Sequence, residues 1–380
     1  MIEILDKINC CGCYACANVC PKNCIVMKKD KEGFYYPCVD EKKCVGCGLC
    51  ESSCPIIHKQ TIPIKEDTVG YSYINRNDDI RQKSTSGGAF YELAKSVLDK
   101  GGIVYGASFA SDFSVHHIRI DHLQNLDKLL GSKYVQSRLD GIYKNVKRDL
   151  LANKEVLFSG TPCQVVALNS FLNKEYENLF CVDIICHGVP SEDVWLKYLA
   201  ERKRKYRSNI QSVSFRNKKN GWKNYNMKIC FDNKKVYERV FFEDPYARSF
   251  VKDITLRPSC YDCNFKGINR VSDITLADYW GVWDLSREMY DDKGTSFIMA
   301  HSLKGKELLQ SALSDVGECN IESAIMYNPS ATKTVDKPEK RDSFFEQIHS
   351  KNIIKLLEDY SGITFMMKIK RLIKKMIGRK

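Results

Sequence analysis

Cys10, Cys13, Cys16 and Cys20, followed by Pro21, repeat the spacing of Cys44, Cys47, Cys50 and Cys54, followed by Pro55. Each run reads C-x2-C-x2-C-x3-C-P. In this arrangement three closely spaced thiolates hold one cubane and the fourth reaches across to the other. Cys10, Cys13, Cys16 and Cys54 therefore hold one 4Fe-4S cluster, and Cys44, Cys47, Cys50 and Cys20 hold a second. A chain that exchanges ligands in this way must fold back on itself, so residues 1–63 are assigned to a ferredoxin-like α+β module. Zinc modules usually use separated C-x2-C pairs rather than a triplet plus C-P. Gly12, Gly46 and Gly48 allow the backbone to turn tightly around a cubane. Cys11, Cys24 and Cys38 lie off the pattern and are read as packing residues or surface thiols.

The remaining length, out of 380 residues, is enough for a second and larger core. No apolar run is long enough to cross a bilayer, and residues 1–9 lack the pattern of a secretory signal. With 18 cysteines and no such signal, metal or redox chemistry in a reducing compartment is expected, hence a cytoplasmic location. The formal net charge of +12 raises the question of nucleic acid, but residues 361–380 alone carry seven basic residues and no acidic one. Iron-bound thiolates lower the charge further, so no nucleic-acid partner is expected. In that tail Phe365, Met366, Ile369, Leu372, Ile373, Met376 and Ile377 share one helical face. Residues 346–380 are read as a basic amphipathic helix, suited either to packing on the body, to docking a partner or to peripheral contact with an anionic membrane at its inner face.

Residues 64–345 alternate strand-like and helix-like segments, which predicts an α/β domain with a mostly parallel or mixed sheet. Ser86-Gly87-Gly88 precedes an amphipathic stretch from Ala89 to Leu98. Such a turn fits an anionic ligand at a helix N-terminus and equally a structural cap. Strand 155–159, helix 163–171, strand 180–185 and a helix capped by Ser191 form a right-handed crossover, which brings Cys163 and Cys186 to one sheet edge. Cys260-x2-Cys263 alone fits zinc or no metal, because two thiols cannot complete a site. Cys163 and Cys186 are the partners with a topological reason to converge on it, which predicts a third 4Fe-4S cluster.

Several segments in order, Ser86-Gly87-Gly88-Ala89, Gly131 to Ser137, Gly160-Thr161-Pro162-Cys163-Gln164, Cys186-His187-Gly188 and Asp273 to Gly281, together with the cysteine runs, resemble the coenzyme F420 hydrogenase/dehydrogenase beta-subunit family. The resemblance spans about residues 5–285. It implies an oxidoreductase that binds FAD and passes electrons between a small hydride-carrying substrate, such as coenzyme F420, and iron-sulfur clusters. It also implies a redox partner protein or subunit. The alternative is an electron-delivery subunit without its own substrate, serving a hydrogenase, a dehydrogenase or a polysaccharide-synthesis enzyme. On the matching positions, Ser86, Gly87, Gly88, Lys133, Tyr134 and Gln136 are the flavin-binding candidates. His187, beside Cys186, is the catalytic candidate, since imidazole titrates near neutrality and can manage a proton. A structural histidine satisfies the same pattern.

Overall fold

The computed structural model describes residues 1–58 and 68–363. The proposed boundary between residues 63 and 64, and the apolar tail face from Phe365 onward, lie outside the described residues. The amino-terminal module carries an antiparallel hairpin of β1 (Ile25–Lys29) and β2 (Tyr35–Val39), with short helices at Ala15–Val19 and Leu49–Ser52 opening at the third positions of the two cysteine runs.

The large sheet contains β3 (Val69–Tyr73), β4 (Ile103–Phe109), β5 (Val115–Ile120), β6 (Val156–Ser159) and β7 (Leu179–Ile184). After an excursion through a separate three-stranded antiparallel sheet, β8 (Ile210–Asn217), β9 (Asn226–Phe231) and β10 (Val236–Val240), the chain returns for β11 (Ile274–Asp278), β12 (Ser296–Ala300) and β13 (Gly317–Cys319). The order is β13-β3-β12-β11-β7-β6-β4-β5. Its centre, β11-β7-β6-β4, is parallel, and the flanking strands are antiparallel, so the sheet is mixed.

The predicted crossover is present. β6 leads into the Pro162–Leu172 helix, where Thr161 caps the N-terminus in a capping box with Gln164 and Pro162 takes the first turn. β7 leads into the Glu192–Tyr206 helix, where the Ser191 hydroxyl accepts from the Val194 N–H. Parallel strands end at the same edge. The loops after Ser159, Ile184 and Asp278 therefore share one rim, and that rim holds the site.

The helices cover both faces. Ala89–Asp99 buries Leu93, Ala94 and Val97 against one face, beside Leu308 and Leu309 of the Leu303–Ala312 helix. Removing one such aliphatic side chain from water contributes about 1.5–3 kcal/mol. On the other face Ile142–Leu151 and Pro162–Leu172 share a core with Tyr14, Ala15 and the cysteines of the amino-terminal module. Polar bonds reinforce this contact. The Tyr143 hydroxyl donates to the Cys13 carbonyl at 2.9 Å, and the Asn18 amide to the Leu139 carbonyl at 3.0 Å.

Candidate functional site

The amino-terminal thiols ring two small cavities. Cys10, Cys13, Cys16 and Cys54 line the inner one with Ile2, Ile4 and Met27. Cys20, Cys44, Cys47 and Cys50 line the outer one with Pro21, Ile25 and Val39. These are the cross-exchanged groupings expected from the spacing. Among the described residues no three ligating side chains close on a single metal-ion position. Burial and the neighbouring Cys13, Cys10 and Cys54 push the Cys16 thiol above its ordinary range. Thiolates held so close need a cationic core between them, which the iron of a cubane supplies.

Two off-pattern cysteines also belong to this neighbourhood. Cys24 is buried with its sulfur 3.3 Å from that of Cys20. Cys11 is buried and hydrogen-bonds both Cys13 and Cys163, so it stands between the inner group and the large domain. Cys38, by contrast, is exposed.

The second thiol group assembles where the crossover predicted. Burial, and then Cys260, Cys163 and Cys263 as charged neighbours, push the Cys186 thiol up. Burial raises Cys260 to about 12, with Cys263 and Cys163 adding to the rise. Cys163, at the start of its helix, is instead lowered to about 7 by the hydrogen bond from Cys11. A Cβ on Gly188 would lie 3.4 Å from that of Cys260, which places the Cys186 and Cys260 loops side by side. Cys181, Cys230 and Cys319 stand on β7, β9 and β13.

Next to Cys186 opens a cavity of about 540 Å3, lined by Ser86, Gly88, Lys133, Tyr134, Cys186, His187 and the Gly160-Thr161 turn, among others. Its volume lies in the range of cofactor sites. Gly88, at a φ of 94°, caps the Ala89–Asp99 helix without a side chain, and the Ser296 hydroxyl accepts from the Gly87 N–H at 3.0 Å and the Ala89 N–H at 3.5 Å. The preceding loop is tied down from outside. The buried Lys218 ammonium donates to the carbonyls of Arg81, Ser86 and Lys293 at 2.7, 2.7 and 2.8 Å.

Gly87 and Gln136 do not line this cavity. A Cβ on Gly87 would meet the Tyr73 carbonyl oxygen at 2.2 Å, so the glycine serves close packing on the sheet. Gln136 faces the amino-terminal module, donating to the carbonyls of Cys11 at 3.3 Å and Gly12 at 3.4 Å. Lys133 and Tyr134 do reach the wall. Burial lowers the Lys133 amine to about 7, and it donates to the Leu130 and Gly131 carbonyls. The Tyr134 ring stacks on Phe250 at 4.7 Å. His187 is held at both nitrogens, by the Asp253 carboxylate at 2.6 Å and the Ser330 hydroxyl at 3.2 Å.

Two wall residues, Arg216 and His117, and Trp222 behind them carried no role in the sequence. Arg216 makes a bidentate pair with Asp278 at 2.9 and 3.1 Å, lying 3.8 Å from the Tyr225 ring centre. Trp222, from the Gly221-Trp222 segment, donates to the same carboxylate at 2.9 Å and stacks on Trp280. His117 is buried between the Ser137 hydroxyl at 2.7 Å and the Ser159 carbonyl at 2.9 Å. The carbonyl can only accept, so Nε2 carries the proton.

Burial also lowers His117 from about 6.5 to about 4. The unfolded chain binds this proton in the interval where the folded one does not. Its contribution to stability is complete above pH 6.5 and lost as pH falls towards 4, about 3 kcal/mol in all for a shift of this size. His117→Gln is expected to flatten stability between those pH values, as read by denaturant unfolding across the range.

The 4Fe-4S dicluster domain model matches residues 9–56, and the model for the C terminus of the coenzyme F420 hydrogenase/dehydrogenase beta subunit matches residues 153–324. An uncharacterized ferredoxin of Methanocaldococcus jannaschii is 39% identical over 67 residues, 17% of this chain and 86% of the ferredoxin. A chain of the F420-reducing NiFe hydrogenase complex of Methanosarcina barkeri aligns with a TM-score of 0.45 at 15% identity, over 77% of this chain and 90% of that one. Among the described residues no helix is long and apolar enough to cross a membrane. With a dicluster module whose thiols ring two cavities and, behind it, a domain that matches the C terminus of the coenzyme F420 hydrogenase/dehydrogenase beta subunit, the chain is an iron-sulfur electron-transfer protein similar to that family.

Proposed function

We propose that the chain is an iron-sulfur flavoprotein oxidoreductase that moves electrons between a hydride donor, coenzyme F420 or a similar carrier, noncovalent FAD and three 4Fe-4S clusters. The observation that carries this reading is the loop after β7. It offers Cys186 to the second thiol group and His187 to the cavity wall, so a redox ligand in the cavity lies one residue from a cluster ligand. A bound flavin supplies the conversion between a two-electron hydride and single electrons.

The chain's own groups suit that guest. The positive end of the helix dipole at Gly88, beside the Ser86 loop, favours a phosphate. Tyr134 and the stacked aromatics beyond it give the cavity an apolar side for a ring system. Lys133, with its amine lowered to about 7, is a group on the wall able to take up or release a proton, and His187 is held there by Asp253. Cys163, Cys186, Cys260 and Cys263 hold the third cluster, and Cys11 lies between it and the inner amino-terminal one.

Anaerobically purified protein is expected to release FAD on denaturation and to bleach when reduced coenzyme F420, NADH or NADPH is added. Iron-loaded protein that takes up no flavin on reconstitution would overturn the reading. Flavin that responds to none of the donors would favour an electron-delivery subunit. For the tail, full-length protein should float with anionic vesicles while a chain ending at residue 363 does not; equal flotation rules out membrane contact through that segment.

A further inference from the structure

Arg81, Arg202, Arg216, Arg257, Arg270 and Arg341 are buried, and all but Arg257 have a carboxylate partner: Asp291, Asp244, Asp278, Asp183 and Glu32 in turn. Arg257, with no exposed surface, has none among the described residues. Its guanidinium donates to the carbonyls of Cys10 at 2.7 Å and Tyr35 at 2.9 Å, to the Gln136 side-chain oxygen at 3.0 Å, and more weakly to the Cys10 sulfur at 3.5 Å. The hydrogen bonds are satisfied, but the charge is not.

A buried cation without an anion is costly, so the fold must bring an anion to it. Its surroundings contain one candidate class. Arg257 stands three residues before Cys260, its N–H bonds the Val189 carbonyl beside the Cys186 loop, and its side chain crosses into the amino-terminal module to reach Cys10. Gly12 makes room: a Cβ there would lie 2.7 Å from the guanidinium. The Tyr36 ring covers it at 4.3 Å and keeps water away.

We infer that Arg257 is the shared counter-cation of the inner amino-terminal cluster and the cluster of the large domain, a positioning residue that raises their reduction potentials and keeps the two in register for electron transfer. This rests on the three-cluster reading above. A cubane with four thiolate ligands is anionic and gains negative charge on reduction, so a fixed positive charge in a low-dielectric site favours the reduced form. Gln136 orients the guanidinium, which gives that residue a use away from the cavity.

The test is a potentiometric titration of anaerobic wild type, Arg257→Gln and Arg257→Lys, followed by electron paramagnetic resonance, with iron measured on each sample. Arg257→Gln with full iron is expected to make reduction of at least one cluster tenfold or more less favourable, about 59 mV for a one-electron couple. Arg257→Lys, which keeps the charge, should stay closer to wild type. Unchanged potentials in Arg257→Gln at full iron would overturn the inference and leave the clusters standing. If Arg257→Gln releases iron, retention in Arg257→Lys supports the charge, and loss in both overturns it in favour of shape alone. Wild type lacking the third cluster's iron would instead sink the reading on which this one rests.

Discussion

Cys163→Ser protein, prepared without oxygen, is expected to hold about eight iron atoms where wild type holds about twelve, four for each of three cubanes. The substitution changes one atom at the start of a capped helix, so the fold has little reason to respond. The Thr161 hydroxyl, 3.1 Å from the sulfur, can bond the new hydroxyl as well. What disappears is a thiolate shared by Cys186, Cys260 and Cys263. Both amino-terminal clusters keep all their ligands and should keep their spectra. Cys181→Ser, Cys230→Ser and Cys319→Ser serve as controls that leave iron at the wild-type level. A wild type saturating at about eight, or a Cys163→Ser variant with unchanged iron, would rule out a cluster there.

Arg216→Met is expected to cost about 3–5 kcal/mol of stability, because removing one partner of a buried ion pair strands the other. Among the described residues Asp278 would keep only the Trp222 N–H of its present side-chain donors. The methionine would also give up the cation contacts to Tyr225 and Trp280, at 3.8 and 5.5 Å. Denaturant unfolding of the anaerobic protein measures the loss. Adding Asp278→Asn should recover much of it, since the stranded charge is then gone. A loss below about 1 kcal/mol, the range of an exposed pair, would mean that solvent reaches this part of the wall.

Local and periodic features were the legible ones. The cysteine runs carry their ligand exchange in their spacing, and the crossover could be read because β6, its helix, β7 and the Ser191 cap follow one another within a short stretch of chain. From the handedness of that unit the meeting of Cys163 with Cys186 followed. Gln136 shows the limit. A motif places neighbours along the chain but not the directions of their side chains, and two residues beyond Tyr134 the backbone has turned towards Cys11. Arg257 and Lys218 had no signature, because their roles consist of contacts with segments far away in sequence. Cys11 was set aside as off-pattern, and only the packing of the two modules brings it against Cys163.

The two amino-terminal cavities differ in their access to solvent. Cys13, Cys16 and Cys54 around the inner one are buried, whereas Cys47 of the outer one is exposed between Val45 and Leu49, and among the described residues nothing lies within 4 Å of a Cβ placed on Gly46 or Gly48. Dioxygen in solution therefore meets the outer cluster first. Air damage should proceed in two stages, an early loss of iron from the outer cluster and a slow one from the inner. The stages are chemically linked, because the outer cluster draws Cys20 from the same run that supplies Cys10, Cys13 and Cys16, so its oxidation leaves a reactive thiol at the end of the helix that carries the inner ligand Cys16.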